Sequence, residues 1–381
     1  MDSPAFLNVD SGLRRYCAVG WLLMVTLLLS SCGDDKPITL GFVAGTSGRV
    51  ADLGVAGRNG FLLAIEQQNA KGGIHQRRIE TLLKDDEQNP SKVKQVVQEL
   101  LEANVDAIIG PMTSAMALAS VDLVNNTQLL MVAPTVTTNA LTGLDDQFLR
   151  TVSAVQTHAS VTARYVYQHH HPATARALID LGNEAYTRDW LEGYRQSYEQ
   201  SGGTVLSVET FRSGDNVDFV GLAEKLLEGS PDLLVLVMNS VDAALTAKAI
   251  RTKVPDALIS AAEWAGTERL IELGGNYVEG LYVAQYHDRA STDPHYVEFR
   301  DAYRQRFGQD PGFPGILAYN ATSVVLRALQ EKSNKQSLKE AILGIGEFQG
   351  VQSKIVFDAF GDVKSRTFVT RVTDGKFLAV E

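Results

Sequence analysis

Apolar and polar positions along this chain alternate between two periods. Ile38 to Val43 is a short apolar run ending in the flexible turn Ala44-Gly45-Thr46-Ser47-Gly48. Residues 54–70 read as a helix stopped by Lys71-Gly72-Gly73. Val93, Val96, Val97, Leu100 and Leu101 fall on one helical stripe, and Asn89-Pro90 is a suitable start for it. Asp106 to Ile109 is the next strand, closed by Gly110-Pro111, then a helix at 114–124 and a strand from Leu129 to Ala133. The rhythm resumes after Arg150: helix 157–168, strand 176–181, helix 188–200, strand 204–211, helix 217–228, strand 232–238 and helix 240–251. A short strand near Leu258 and another at 281–284 follow. Alternation with short links predicts parallel sheets covered on both faces. The strands are too many for one comfortable open sheet, so the expectation is two doubly wound α/β lobes. The last ninety or so residues change character. Helices near 294–307 and 316–330 precede strands Lys354–Phe357, Thr367–Thr373 and Lys376–Val380, the last two meeting at the hairpin signal Asp374-Gly375.

Composition narrows the classes. The chain has 381 residues, a net charge of −10 and 45% hydrophobic residues, enough for two cored domains. The acidic balance argues against nucleic acid. Two cysteines exclude a disulfide-rich scaffold and a four-cysteine zinc ribbon. Arg14 and Arg15 precede an apolar run, Ala18–Leu29, that is too short to span a bilayer and reads as a secretory signal. Leu29-Ser30-Ser31-Cys32 resembles a bacterial lipobox, in which the cysteine is acylated and becomes the new N-terminus. The expectation is an extracytoplasmic protein tethered to the membrane through Cys32, with residues 1–32 removed as a signal. Gly33-Asp34-Asp35-Lys36-Pro37 is a short polar linker.

Several pieces, in order, resemble the leucine/isoleucine/valine-binding family of bacterial periplasmic binding proteins. They include Ser47-Gly48, Asn69-Ala70-Lys71-Gly72-Gly73-Ile74, Asp85-Asp86, Asn89-Pro90 and Ile108-Ile109-Gly110-Pro111. Further pieces are Ala133-Pro134, Glu184-Ala185-Tyr186, Glu279-Gly280 and Ala318-Tyr319. The resemblance implies the class I fold: two lobes joined by three hinge crossings, with a small-molecule ligand clamped between them. The expected lobes are 33–150 with 286–349, and 151–285 with 350–381. It also implies delivery of the ligand to an ABC permease of the inner membrane.

In parallel α/β sheets, sites form beyond the carboxyl ends of strands. Thr113-Ser114-Ala115 follows strand 106–109 and opens a helix, so its free N–H groups and the Ser114 hydroxyl suit a carboxylate. The resemblance places an amino-acid carboxylate at Ser114, the ligand ammonium on the Val136 carbonyl, and both groups near Thr137. It implies that Glu263 pairs with the ammonium and that Tyr186 of the second lobe closes over the ligand. Thr113, Thr135, Ser240 and Trp264 are further candidates. Thr135 stands where leucine binders carry glycine, Ser240 falls near a second-lobe contact where they carry tyrosines, and Leu53 departs from a frequent aromatic. These differences point to a larger or more polar ligand than a branched-chain amino acid.

His169-His170-His171 lacks the i, i+4 spacing of a metal pair on one helix face. Asp85-Asp86-Glu87 reads as a strand end entering a solvated acidic loop. No nucleophile elbow, zinc-protease motif or phosphate loop is present, so neither catalysis nor a cofactor or metal is expected. The reading is a solute-binding lipoprotein of an ABC importer for an amino acid or a similar compound. Alternatives are a ligand-sensing module of the same fold, or a binder of amides, urea or aromatic acids.

Overall fold

A computed structural model describes Met1, residues 36–214 and residues 216–380. The signal segment and Cys32 lie outside the described residues. The body begins at Ile38.

The first half supplies β1 (Ile38–Ala44), α1 (Ala51–Ala70), β2 (Ile79–Asp85), α2 (Pro90–Glu102) and β3 (Ala107–Ile109). It continues with α3 (Ser114–Asn125), β4 (Met131–Ala133) and β5 (Phe148–Arg150). These strands form one parallel sheet in the order β2-β1-β3-β4-β5. Helix α2 buries Val93, Val96, Val97 and Leu100, the stripe read from the sequence. Its start is fixed by Asn89, whose side chain accepts from the N–H groups of Ser91 and Lys92 at 2.8 and 3.2 Å.

The second sheet is built from β6 (Thr174–Asp180), β7 (Thr204–Phe211), β8 (Leu233–Val237), β9 (Ile259–Ala261) and β10 (Tyr282–Gln285). Helices α4 (Gln156–His170), α5 (Glu184–Gln200), α6 (Phe219–Leu227), α7 (Ser240–Lys253) and α8 (Glu268–Gly274) connect and cover them. After β10 come α9 (Pro294–Phe307), α10 (Phe313–Glu331) and α11 (Leu338–Ile345), which complete the first lobe with the hairpin β11 (Glu347–Gln349) and β12 (Lys354–Val356). The chain then returns to the second sheet as β13 (Phe368–Thr373) and β14 (Lys376–Ala379). The order is β14-β13-β10-β9-β8-β6-β7. Strands β13 and β14 are antiparallel, so this sheet is parallel except along one edge. Asp374 and Gly375 both take positive φ, 50° and 65°, as the two-residue turn requires.

Burial follows position in the sheet. All five residues of β8, Leu-Leu-Val-Leu-Val, are buried, as expected of a strand covered on both faces. The edge strand β7 alternates between exposed and half-buried. Helices α1 and α10 cross at close range: a Cβ on Gly60 would fall 2.0 Å from the Gly315 carbonyl oxygen, so the contact needs glycine there.

Two expectations need correction. Residues 350–362 stay with the first lobe rather than joining the second. Val351 N–H donates to Asn320 Oδ1 at 3.0 Å, Arg150 N–H donates to the Gly361 carbonyl at 3.1 Å, and the Arg150 guanidinium pairs with Asp362 at 2.6 Å. The acidic loop is also not fully solvated. Asp86 is buried, its Oδ1 accepts from Gln88 N–H at 2.8 Å, and burial pushes its pKa up to about 6.

Candidate ligand-binding site

The carboxyl ends of the strands of both lobes converge on one small cavity of about 20 Å3. Leu53, Met112, Thr113, Ser114 and Thr135 line it from the first lobe. Asn183, Tyr186 and Trp264 line it from the second, and Tyr286 and Phe313 complete the wall. A wider cleft of about 920 Å3 lies outside it, bordered by Arg49, Asp52, Gln88, Asp180 and Arg212. Trp264 borders both spaces.

Polar groups gather at one end of the cavity. Thr113 is the N-cap residue of α3 in extended conformation, and Ser114 is the first helical residue. Thr113 Oγ1 donates to Gln88 Oε1 at 3.0 Å, so its side chain does not cap the helix. Ser114 Oγ accepts from the N–H groups of Thr137 and Thr138, both at 3.3 Å. This bond ties the start of α3 to the loop after β4. The N–H of Ala115 donates across the cleft to Asn183 Oδ1 at 3.0 Å. Such first-turn N–H groups have no partner within their own helix, which is why an external acceptor is needed here. Thr135 Oγ1 donates to the Met112 carbonyl, holding the two loops of the first lobe together.

Val136 and Thr137 do not line the cavity. Val136 is packed into the first-lobe core. Thr137 is buried, its carbonyl accepts from Val155 N–H at 2.9 Å, and its hydroxyl has no partner among the described residues.

The other end of the cavity is aromatic. Tyr186 and Trp264 meet perpendicularly, with ring centroids 5.8 Å apart. Tyr286 and Phe313 lie 5.2 Å apart. Glu263 is buried behind these rings and is not part of the lining. Its Oε2 accepts from Trp190 Nε1 at 2.6 Å and its Oε1 from the Tyr286 hydroxyl at 3.4 Å. Burial outweighs these bonds and pushes the Glu263 pKa up to about 7. Burial, and then the neighbouring Glu263 charge, raise the pKa of the Tyr186 hydroxyl well above its ordinary value.

Ser240 lies away from the cavity. Its hydroxyl donates across the cleft to Asp52 Oδ2 at 2.6 Å, and Thr267 Oγ1 donates to the same oxygen. Arg49 pairs with Asp242 across the cleft at 3.0 Å, and Thr138 Oγ1 and Asn139 N–H donate to Asp189 Oδ2 at 2.8 and 2.7 Å. These bonds hold the lobes together around the site.

The structure therefore brings Thr113, Ser114, Thr135, Tyr186 and Trp264 to one cavity, with Glu263 directly behind it. Sequence reasoning missed Met112, Asn183, Tyr286 and Phe313 as wall residues. The turn Gly182-Asn183-Glu184 after β6 was a readable signal for Asn183, because it occupies a strand's carboxyl end.

Comparison with known proteins decides the family. The periplasmic binding protein family model matches residues 37–376. The chain belongs to this family. Among curated relatives, the leucine-, isoleucine-, valine-, threonine- and alanine-binding protein of Pseudomonas aeruginosa is 23% identical over 335 residues, covering 87% of this chain and 88% of that protein. Among solved structures, the branched-chain amino acid transporter substrate-binding protein LivJ of Streptococcus pneumoniae, in complex with isoleucine, superposes with a TM-score of 0.83. It is 23% identical, covering 90% of this chain and 98% of that one. A solute-binding protein of an ABC transporter from R. palustris, in complex with benzoate, also reaches a TM-score of 0.83 at 16% identity, covering 91% and 96%. The two-lobe fold is thus that of a periplasmic binding protein, and the family is one of substrate-binding proteins and not of enzymes. Such proteins work outside the cytoplasm. No helix among the described residues is long and apolar enough to cross a membrane.

Proposed function

We propose that this periplasmic binding protein is the solute-binding lipoprotein of an ABC importer. It captures an amino acid or amino-acid-like carboxylate between its lobes, is tethered through Cys32, and presents the closed form to an inner-membrane permease. Within the described body, the lobes are residues 38–150 with 286–362, and 151–285 with 363–380. The observation that carries the reading is the cavity at the start of α3. Its polar end, at Ser114 where Asn183 Oδ1 already accepts from the first turn of α3, suits a carboxylate taking that acceptor's place, and its apolar end suits a hydrophobic body. The ligand carboxylate docks at Ser114, with Thr113, Thr135 and Thr137 supporting that end. Val136 supplies a carbonyl, Tyr186 and Trp264 cover the ligand, and Glu263 balances an ammonium group.

A cavity of about 20 Å3 holds roughly one water molecule. A ligand of amino-acid size therefore enters as the lobes part and the walls shift. Contacts made only in the closed form then favour closure, which is the signal a permease reads.

A second reading, an aromatic carboxylate, is favoured by the four rings around the cavity and by the position of Glu263 behind them. A thermal-shift screen of protein unfolded and refolded to strip carried ligand separates the two. Stabilisation by L-amino acids supports the first reading, and stabilisation by benzoates with amino acids silent supports the second. Silence from both classes would sink the carboxylate assignment.

A further inference from the structure

The chain passes between the two sheets three times, at residues 151–155, 286–293 and 357–367. One buried side chain reaches all three crossings. His158, in the first turn of α4, has no exposed surface. Its Nε2 lies 3.1 Å from Ser153 Oγ in the first crossing, and its Nδ1 lies 2.6 Å from Thr367 Oγ1 in the third. Ser153 Oγ is also 2.7 Å from Ser365 Oγ, which accepts from Ser153 N–H at 3.1 Å. The second crossing contributes Tyr286, whose ring meets the imidazole edge-on at 4.7 Å and 70°. Burial holds the His158 pKa down to about 3, so the ring is neutral, with one donor and one acceptor nitrogen shared between the two hydroxyls.

Tyr286 has a second set of contacts. Its ring lines the cavity and packs on Phe313, while its hydroxyl donates to Glu263. We propose that Tyr286 is a positioning residue that couples filling of the interlobe cavity to the hinge, through a His158 hub that makes the three crossings move as one unit. The coupling rests on the interlobe reading of the ligand site; the hub does not. Exposed linkers could bend separately, because water replaces any bond they lose. Here the imidazole has no exposed surface and its bond to Ser153 is buried, that to Thr367 partly so; displacing the first or third crossing alone therefore orphans a buried ring nitrogen, and displacing the second opens the Tyr286 ring contact. A ligand pressing on the Tyr286 ring acts on the imidazole edge, and that shift is shared among the crossings.

Amide hydrogen exchange, followed by mass spectrometry on the full chain, tests both parts. Thr367→Val keeps the side-chain shape and removes one hydroxyl partner of His158. Without any added ligand, exchange should quicken by about threefold or more in peptides covering 151–155 and 286–293, as well as at the substituted site. Peptides of β6 and β8 should keep wild-type rates. A change confined to residues 365–369 would overturn the hub. Should Thr367→Val fail to fold, Ser153→Ala gives the reciprocal readout, with faster exchange at 363–368 expected and a purely local change refuting the idea.

The coupling arm uses L-isoleucine and, separately, benzoate as probes. A bound probe should slow exchange at the cavity walls and at all three crossings of the wild type. In Tyr286→Leu, with the probe raised until the peptides around Tyr186 and Trp264 reach wild-type protection, those at 151–155 and 363–368 should stay unprotected. Retained protection at the crossings overturns the role of Tyr286. Absence of protection by either probe in the wild type overturns the coupling together with the interlobe reading, while the ligand-free arm still decides the hub.

Discussion

Replacing Glu263 by glutamine should change how stability depends on pH. The carboxyl is buried behind the cavity wall, and its pKa moves from an ordinary 4.5 to about 7. Below pH 4.5 it is protonated in both folded and unfolded chains and contributes no difference. Between 4.5 and 7 the unfolded chain releases the proton while the folded chain keeps it, so stability falls as pH rises. At 1.36 kcal/mol per pH unit, the deficit reaches about 3 kcal/mol and persists above pH 7. Two other buried groups act in the same range. Asp86, at about 6, acts with the same sign, and His158, at about 3, acts with the opposite one. Both remain in Glu263→Gln, so they cancel when the two proteins are compared. Urea unfolding at pH 5 and pH 8, in ligand-free protein, is the assay. The stability of Glu263→Gln relative to wild type should rise by about 2–3 kcal/mol between those two pH values, since part of the deficit is already present at pH 5. A difference that stays constant would refute the raised pKa and the reasoning built on it.

Asp362→Ala should destabilise the protein by about 3–5 kcal/mol in urea unfolding, because it strands the buried Arg150 guanidinium. The double variant Arg150→Met with Asp362→Ala should recover much of that loss, since no unpaired charge is then left behind. Affinity for an L-amino acid should weaken about fivefold between pH 7 and pH 6, because its ammonium needs ionised Glu263, whereas benzoate affinity should stay flat. An isoleucine affinity that is constant from pH 5 to pH 8 would discard Glu263 as the ammonium partner.

Elements with strong local patterns were the legible ones. The apolar stripe of α2, its Asn89-Pro90 start and the Asp374-Gly375 turn each depend on a few neighbouring residues, and each appears where the pattern places it. Strands β5 and β11 have three residues each, too few to show a period, whereas β12 lies within the strand read at Lys354–Phe357. With its partner β11 unread, that strand was grouped with those that follow it, and the expected lobe boundary fell at 350. At the site, Ser114 was legible because it follows a strand end and opens a helix, whereas Thr135, Tyr186 and Trp264 entered through the family resemblance. Tyr286 and Phe313 were not legible, since one lies on a crossing and the other opens α10. Only tertiary packing brings those two rings to the cavity. The position of Glu263 behind the rings depends on Trp190 and Tyr286, 73 and 23 residues away in sequence, which no local pattern announces.

The central claim is that one small carboxylate binds between the lobes at the start of α3. Isothermal titration of refolded wild-type and Ser114→Ala protein tests it most directly, using whichever L-amino acid or benzoate gives the largest thermal shift. The account predicts one equivalent bound by the wild type and at least about tenfold weaker binding by Ser114→Ala, about 1.4 kcal/mol. Equal affinity in the two proteins, or no saturable binding of any carboxylate, would contradict it.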